Sequence, residues 1–268
     1  MFEANIQHKP STISSINLLP FAEKRRIYSH IIPPEIHRLL NIPQSFYDIN
    51  GIDLLTLTCP EGRVDMEMEL RHEANFHDPI LYGHITDTLN GLIHILFYAI
   101  NDPNSPRFNI DHLDDGRPTL LGIEYRNIDS ELAALQYGLA PGQILRGLRL
   151  LPHVIRTFER FIAELGHEYY SVEPLFYHNA ILFEGNGFAY SSGKKIIERI
   201  QSGFSVGGDL IPLLDGSNPF RMPVAANHIR LRSWAIHDGI LGEYFTGVTM
   251  YKRLGVNANI NSTHSCKW

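Results

Sequence analysis

The sequence predicts an α+β fold in which a mixed, mostly antiparallel central sheet is flanked by helices. Three observations lead to this class. Two pairs of strand-like segments, within residues 54–70 and 80–100, are each joined by a tight turn. A strongly amphipathic segment, residues 152–165, predicts a long helix. The pattern then changes to strand, short helix and strand, an order that adds a parallel pair to an antiparallel sheet.

The composition is that of an ordinary globular protein. The 268 residues are 44% hydrophobic and 19% charged, and the formal net charge is −6. No basic patch dominates, which argues against nucleic acid as the main partner. The N-terminus lacks the apolar core of a signal peptide, no apolar run has transmembrane length, and two cysteines cannot build a disulfide framework. We therefore expect a cytoplasmic protein without membrane association.

Residues 1–75 are expected to form an N-terminal extension. The first 20 residues are predicted to be an arm, and two short helical patterns follow it, the second opened by proline. Within residues 54–70, strand-like runs flank a Pro-Glu-Gly turn at 60–62. Apolar residues alternate with charged ones over 64–70, which is the period of a half-buried strand. This pattern predicts a hairpin.

The core is assigned to residues 76–202 and begins with a second hairpin around Asn90-Gly91. Asn-Gly favours a type I′ turn, in which both central residues take positive φ. The strand that follows is apolar nearly throughout, so we expect it to be buried on both faces. Residues 119–127 and 130–140 are predicted as two further strands. For the second of these, a helix is the alternative.

The helix over residues 152–165 is the clearest element, with Pro152 suited to its first turn and Gly166 to its end. A strand, a short helix with Asn179 as N-cap, a strand piece and another helix are predicted after it, over residues 168–177, 179–187, 188–193 and 194–201. Residues 203–268 are predicted to form a strand-rich C-terminal extension packed on the core.

Two motifs in this order of elements resemble the GCN5-related N-acetyltransferase family, over roughly residues 80–200. Leu139-Ala140-Pro141 is similar to the family's apolar-x-Pro step, and Gln143 stands where its phosphate-cradling loop begins. Residues 176–188, FYHNAILFEGNGF, resemble the family's Asn, short helix and aromatic-acidic-x-x-Gly-Phe ending. The resemblance implies an acyl-CoA N-acyltransferase-like fold. It also implies transfer of an acyl group from acetyl-CoA or another acyl-CoA to an unidentified amine.

The cofactor-binding residues that the resemblance implies lie in these two motifs. They are Leu139, Pro141, Gln143, Arg146, Gly147, Leu148, Asn179 and Phe183.

The sequence departs from the family pattern at three places. Arg146 and Leu148 occupy the loop's two small positions, where glycine lets backbone amides approach a pyrophosphate, and Gly147 is one residue out of register. Arginines at 146 and 149 could instead clamp a phosphate. Phe183 stands where the family often has the Tyr that protonates the leaving thiolate. The alternative is a non-catalytic relative that binds a small ligand or partner in the same cleft.

Glu131 is the candidate general base, by its position at the start of residues 131–140. Its other interpretation is a surface Glu at the end of an element. The expected partner is a small-molecule ligand, and a homodimer is one oligomeric state that the sequence leaves open.

Fourteen histidines raise the question of a metal. His72 and His77 are five residues apart, whereas a zinc-protease helix needs histidines four apart, so that motif is excluded. Together with His84 and Asp78 they could still surround an ion. Scattered histidines are more often hydrogen-bonded or exposed, so no metal ligand is assigned and a metal-assisted enzyme remains an alternative.

The segment 227–245 is the last candidate. As a strand it would place Arg230, Arg232 and Trp234 on one face, where they could line a pocket for an anionic or planar ligand. The alternative is a terminal strand with salt bridges.

Overall fold

A computed structural model describes residues 9–263 and 266–268. The chain divides into two compact units. The first unit takes the described residues up to Ile100, together with Arg149–Val172 and Arg253–Gly255. The second takes Asn101–Leu148, Glu173–Lys252 and the described residues from Val256 on. The predicted structure of residues 1–8 lies outside the described part of the chain.

The first unit contains four helices and five strands among its described residues. They are α1 (Ile13–Asn17), α2 (Phe21–Ser29), α3 (Pro34–Leu39), β1 (Leu55–Thr58), β2 (Asp65–Leu70), β3 (Leu81–Asp87), β4 (Ile93–Ile100), α5 (Leu151–Glu164) and β5 (Tyr169–Val172). The second unit holds α4 (Ile128–Tyr137), α6 (Tyr177–Gly185), β6 (Ala189–Ser192), α7 (Lys194–Gly203), α8 (Ile229–His237) and β7 (Thr249–Arg253), whose last residue belongs to the first unit, with short 3-10 helices at Pro219–Arg221 and Pro223–Asn227.

The sheet of the first unit is an antiparallel meander, β1-β2-β3-β4, to which β5 adds in parallel. In the second unit β6 pairs with β7 antiparallel. The mostly antiparallel mixed sheet and its flanking helices confirm the predicted α+β class. Both predicted hairpins are present as β1–β2 and β3–β4.

The turn of the second hairpin differs from the type I′ prediction. Gly91 takes a φ of 73°, whereas Asn90 is not among the residues with positive φ. The amide of Gly91 donates to the carbonyl of Thr88, and the amide of Thr88 donates to the carbonyl of Leu92. This pattern is a type I turn followed by a left-handed glycine, the usual form when one more residue enters the loop. The expected burial of β4 on both faces is also wrong, because only Ile93 and Ile95 are buried.

Helix α5 matches its prediction. Val154, Phe158 and Phe161 recur on one face and are almost fully buried. Pro152 lies in the first turn, and Gly166 follows the helix with a φ of 85°. This agreement reflects a strong amphipathic period with a start and a stop signal at its ends.

Three secondary-structure predictions are wrong. The segment predicted as a strand over 130–140 is helix α4, which ends at Gly138 in a left-handed C-cap. Residues 119–127 form turns up to the start of α4. The predicted strand that carries Arg230 and Arg232 is helix α8, so these two side chains do not share a strand face. The Ala- and Leu-rich sequence of α4 favours helix, and the glycine after it serves as a helix stop.

The N-terminal arm and the C-terminal extension also differ from expectation. Ile13 and Ile16 of α1 are fully buried, so the chain packs from there on. The described residues of the range 203–268 contain one strand, β7, beside α8 and two 3-10 helices, so this part of the chain is poor in strands. No helix in the described ranges has the length and apolar character needed to cross a membrane.

Candidate functional site

The parallel pairing of β4 with β5 is short, and it ends next to a β-bulge in β4. His94 pairs with Ser171 and Ile95 with Val172, where β5 ends. Strand β4 continues to Ile100 as a partner of β3. The pairing with β3 shifts register here, because His84 pairs with Phe97 but Ile85 pairs with Ile95. Leu96 is therefore the extra residue of a bulge.

This bulge lies one residue beyond the last β4–β5 pair. A bulge leaves the extra residue outside the ladder and turns its backbone groups away from their usual partners. A strand that extends beyond its neighbour likewise has unpaired backbone donors and acceptors along that edge. The two features together make residues 96–100 a place where an extended ligand could meet main-chain amides.

The N-terminal end of α5 is positively charged. Leu150 is its N-cap, and no side chain there bonds to the first turn. Arg149 precedes the cap, is exposed, and takes a left-handed φ of 58°. A 14-residue helix carries a partial positive charge at its N-terminus. The guanidinium beside it makes this end suitable for an anion.

A cavity of about 610 Å³ runs along the exposed side of α5. His153 Nε2 lies 3.4 Å from Oε1 of Glu35, while Nδ1 of His153 is buried without a hydrogen-bond partner among the described residues. Two further cations, Arg156 and Arg160, line the cavity on the same helix. Apolar side chains, among them Pro34, Ala163 and Leu254, line the cavity beside these charged groups.

The predicted cofactor loop lies in the second unit, packed on residues 101–108. Leu139 is buried and its carbonyl accepts from Nε1 of Trp234 at 2.8 Å; Pro141 is also buried. The side chain of Gln143 accepts from the amide of Ala140 at 2.8 Å. The bond between Gln143 and Ala140 closes a turn within the loop, and the bond from Trp234 ties the loop to α8.

The rest of the predicted loop is likewise engaged within the second unit. The amide of Arg146 donates to Oγ of Ser105 at 3.0 Å, and its guanidinium lies 4.6 Å from the ring centroid of Tyr137. Gly147 forms an isolated bridge with Asn101, and Leu148 is half-buried. The amide of Arg146 is therefore occupied by a protein partner.

The motif of residues 176–188 forms α6 and its end. Phe176, not Asn179, is the N-cap, because Asn179 is already the third residue of the helix. Phe183 packs against Phe188, with ring centroids 4.9 Å apart. Gly187 takes a φ of 82°, which the turn after the helix requires. The Asn-Gly-Phe ending is thus a helix stop followed by a buried aromatic anchor.

Glu184, in the same motif, is a buried carboxylate that sequence patterns did not single out. Its oxygens accept from the hydroxyl of Tyr190 at 2.6 Å and from the hydroxyl and amide of Ser262 at 2.6 and 2.8 Å. These hydrogen bonds hold Ser262 against α6.

Glu131 lies at the centre of a buried charge network of the second unit. Its side chain is 1% exposed; Oε2 accepts from Arg126, and Oε1 lies 3.1 Å from Nε2 of His237. Arg126 also donates to Asp238 at 2.9 Å, and Arg221 donates to the other oxygen of Asp238 at 2.8 Å. Two carboxylates and two guanidinium groups thus balance in charge, and the imidazole of His237 lies against one of the carboxylates.

The electrostatics of this network favour an ionised Glu131. Burial raises the pKa of Glu131, but hydrogen bonds from His237 and Arg126 outweigh it and hold the pKa below its ordinary value. A Cβ at Gly122 would lie 2.7 Å from Oε1 of Glu131, so loop backbone packs directly on the pair. A sealed carboxylate with a lowered pKa suits a structural ion pair better than proton abstraction. The role of general base stays a prediction.

A second histidine lies beside the network. Nδ1 of His178 is 3.0 Å from Oγ of Ser233, and both side chains are buried. Burial, and then the nearby His237, lower the pKa of His178 to about 3. An imidazole of such low basicity does not activate a serine hydroxyl near neutral pH, so the pair resembles a nucleophile and base in geometry alone.

The histidines considered as metal ligands do not come together. His77 is exposed and pairs with Asp78 at 3.2 Å, and His72 packs against the ring of Phe76. Within the described ranges, His84 lies beside Asp65 and Glu67 and not beside Asp78.

Comparison of the chain with protein-family models, with curated proteins and with solved structures finds no match in any of the three.

Proposed function

We propose that the protein is an acyl-CoA-dependent N-acyltransferase that acts on an unidentified amine. The observation that carries the proposal is the bulge at Leu96, placed where the parallel β4–β5 pair ends. The order of elements around it supports the proposal. Within residues 80–200, the hairpin β3–β4, helix α5 and the parallel strand β5 follow the order that the resemblance to GCN5-related N-acetyltransferases implies, whereas α4 stands where two further strands are predicted.

The residues present fit a coenzyme A thioester. Main-chain amides of β4 beyond the bulge would orient the extended ligand and polarise its carbonyl. Arg149 and the N-terminus of α5 would hold the phosphates, since both place positive charge at one point. When bound, the thioester would supply the activated acyl group. Glu131, the general base that the sequence suggests, is buried under Gly122 in the second unit, so we assign no base to this site.

The first experiment is calorimetric titration of the protein with coenzyme A. We expect saturable binding to the wild-type protein. Arg149→Glu should weaken it roughly 10- to 100-fold, because one charge-assisted phosphate contact contributes about 1.5–3 kcal/mol. Arg117→Glu is the matched control, since Arg117 is an exposed arginine on a turn of the second unit. Absence of binding at millimolar ligand, or equal loss in both variants, would refute the proposal.

A second experiment separates catalysis from binding. Acetyl-CoA is incubated with a panel of primary amines, and release of the free thiol is followed. Amine-dependent release supports the transferase. Binding of coenzyme A without release under any amine favours the non-catalytic relative, for which Phe183 in place of a proton-donating tyrosine is the supporting observation.

A further inference from the structure

Three metal-ligating side chains share one face of the sheet in the first unit. Met66 and Met68 of β2 are fully buried, so Asp65 and Glu67 lie on the opposite face of the strand. His84 on β3 is the direct antiparallel partner of Glu67 and presents its side chain on the same face. One potential ligand atom from each of the three residues lies within 4.8 Å of the other two.

The imidazole of His84 has an unsatisfied nitrogen at this point. Its Nε2 is buried and lacks a hydrogen-bond partner among the described residues. Oδ2 of Asp65 is 3.7 Å away, which is beyond hydrogen-bond length. Two ligand atoms at about 2.1 Å from one tetrahedral ion are about 3.4 Å apart. The observed spacing therefore fits a shared ion better than a direct bond.

Both carboxylates are held in place by neighbours. The hydroxyl of Tyr82 donates to Oε2 of Glu67 at 3.0 Å, which fixes the orientation of that group. Arg63 donates to Asp65 through Nε at 3.0 Å and through Nη2 at 3.4 Å. The side chain of Arg63 is 65% exposed, so its ion pair contributes little and can yield one oxygen to a cation.

We propose that Asp65, Glu67 and His84 form a site for one divalent transition-metal ion, with Zn²⁺ as the best match. An imidazole nitrogen beside two carboxylates suits Zn²⁺, whereas Mg²⁺ and Ca²⁺ prefer oxygen ligands alone. Three protein ligands on a half-buried sheet face leave coordination positions for water or a substrate. The site does not depend on the acyltransferase proposal, because it uses no residue assigned to coenzyme A.

The test is equilibrium dialysis of the full chain against Zn²⁺, with bound metal measured by mass spectrometry. We expect one ion per chain. His84→Gln and Glu67→Gln should each weaken binding at least about 10-fold, since even residues that only support metal ligands cost that much. His77→Gln is the matched control, because His77 is an exposed histidine beside a carboxylate outside the cluster. It should bind as the wild type does.

Circular dichroism first establishes that each variant is folded. If His84→Gln does not fold, the test relies on Glu67→Gln. Cys266→Ser excludes binding through the half-buried thiol of Cys266 and should leave the stoichiometry unchanged. No stoichiometric Zn²⁺, or Zn²⁺ that survives both cluster substitutions, would overturn the site. Preference for Mg²⁺ over Zn²⁺ at equal concentration would overturn the transition-metal assignment. Coenzyme A titrations with chelator present keep this outcome separate from the proposed activity.

Discussion

Replacing Glu131 by Gln tests whether the buried charge network stabilises the second unit. Gln keeps the shape of the side chain but removes the charge that faces Arg126 and His237. Breaking a buried ion pair by removing one partner costs about 3–5 kcal/mol. Arg126 keeps its bond to Asp238 and is 24% exposed, so we expect the lower end of that range, about 3 kcal/mol.

Urea unfolding followed by tryptophan fluorescence is the appropriate assay. Both tryptophans of the chain, Trp234 and Trp268, belong to the second unit, so the signal reports that unit. Trp234 is fully buried. The matched control is Glu198→Gln, which removes an exposed carboxylate 3.6 Å from Lys194 on α7 and should change stability by under about 1 kcal/mol.

The pH dependence adds a second check on the same variant. The pKa of Glu131 is below its ordinary value of 4.5, so its stabilising contribution is present above that value and is lost as the pH falls through the folded-state pKa. The difference between the wild type and Glu131→Gln should therefore shrink in acid. Equal unfolding free energies for Glu131→Gln and Glu198→Gln at neutral pH would refute the structural reasoning. The role of Glu131 as general base would then gain support.

Two further predictions use the same assay. Burial lowers the pKa of His178 to about 3, so below pH 6.5 the unfolded chain binds a proton that the folded chain excludes. The free energy of unfolding should therefore fall by at most about 1.4 kcal/mol per pH unit as the pH decreases from 6.5. His178→Gln should flatten this slope. A slope that is unchanged in the variant would contradict the assignment. Gly142→Ala should destabilise by at least about 2 kcal/mol more than Gly207→Ala, because a Cβ at 142 would lie 2.1 Å from the ring of Phe176, whereas 207 has open space at a similar φ. Equal losses would show that backbone strain alone decides the cost.

The elements with the strongest local signals were predictable. The helix over 152–165 has an amphipathic period bounded by Pro152 and Gly166, and both hairpins have alternating strands around turn residues. Each signal acts within a few residues of the position it describes. The position of the turn at Asn90-Gly91 was predicted correctly, but its type was not. The number of residues with positive φ depends on the length of the loop, which the sequence does not fix.

The errors arose where two local patterns compete. The segment before Gly138 has both helix-forming residues and a glycine, and a glycine ends helices as readily as strands. In residues 229–237, alternating Arg and apolar residues suggested a strand, but the helix buries Arg232 and Trp234 against other parts of the second unit. Tertiary packing overrides weak propensity in such segments.

The sequence by itself determined the fold class, the hairpins and the long helix, since hydrophobic periodicity and turn residues are local properties. The candidate sites were decided by the tertiary structure. Glu131 was singled out, but its partner His237 lies 106 residues away, and the pair exists only because α4 and α8 pack together. Asp65, Glu67 and His84 meet only because β2 and β3 pair in one register, and a shift of one residue would turn His84 to the other face. Local sequence thus specifies the elements, whereas their pairing and packing specify which side chains can act together.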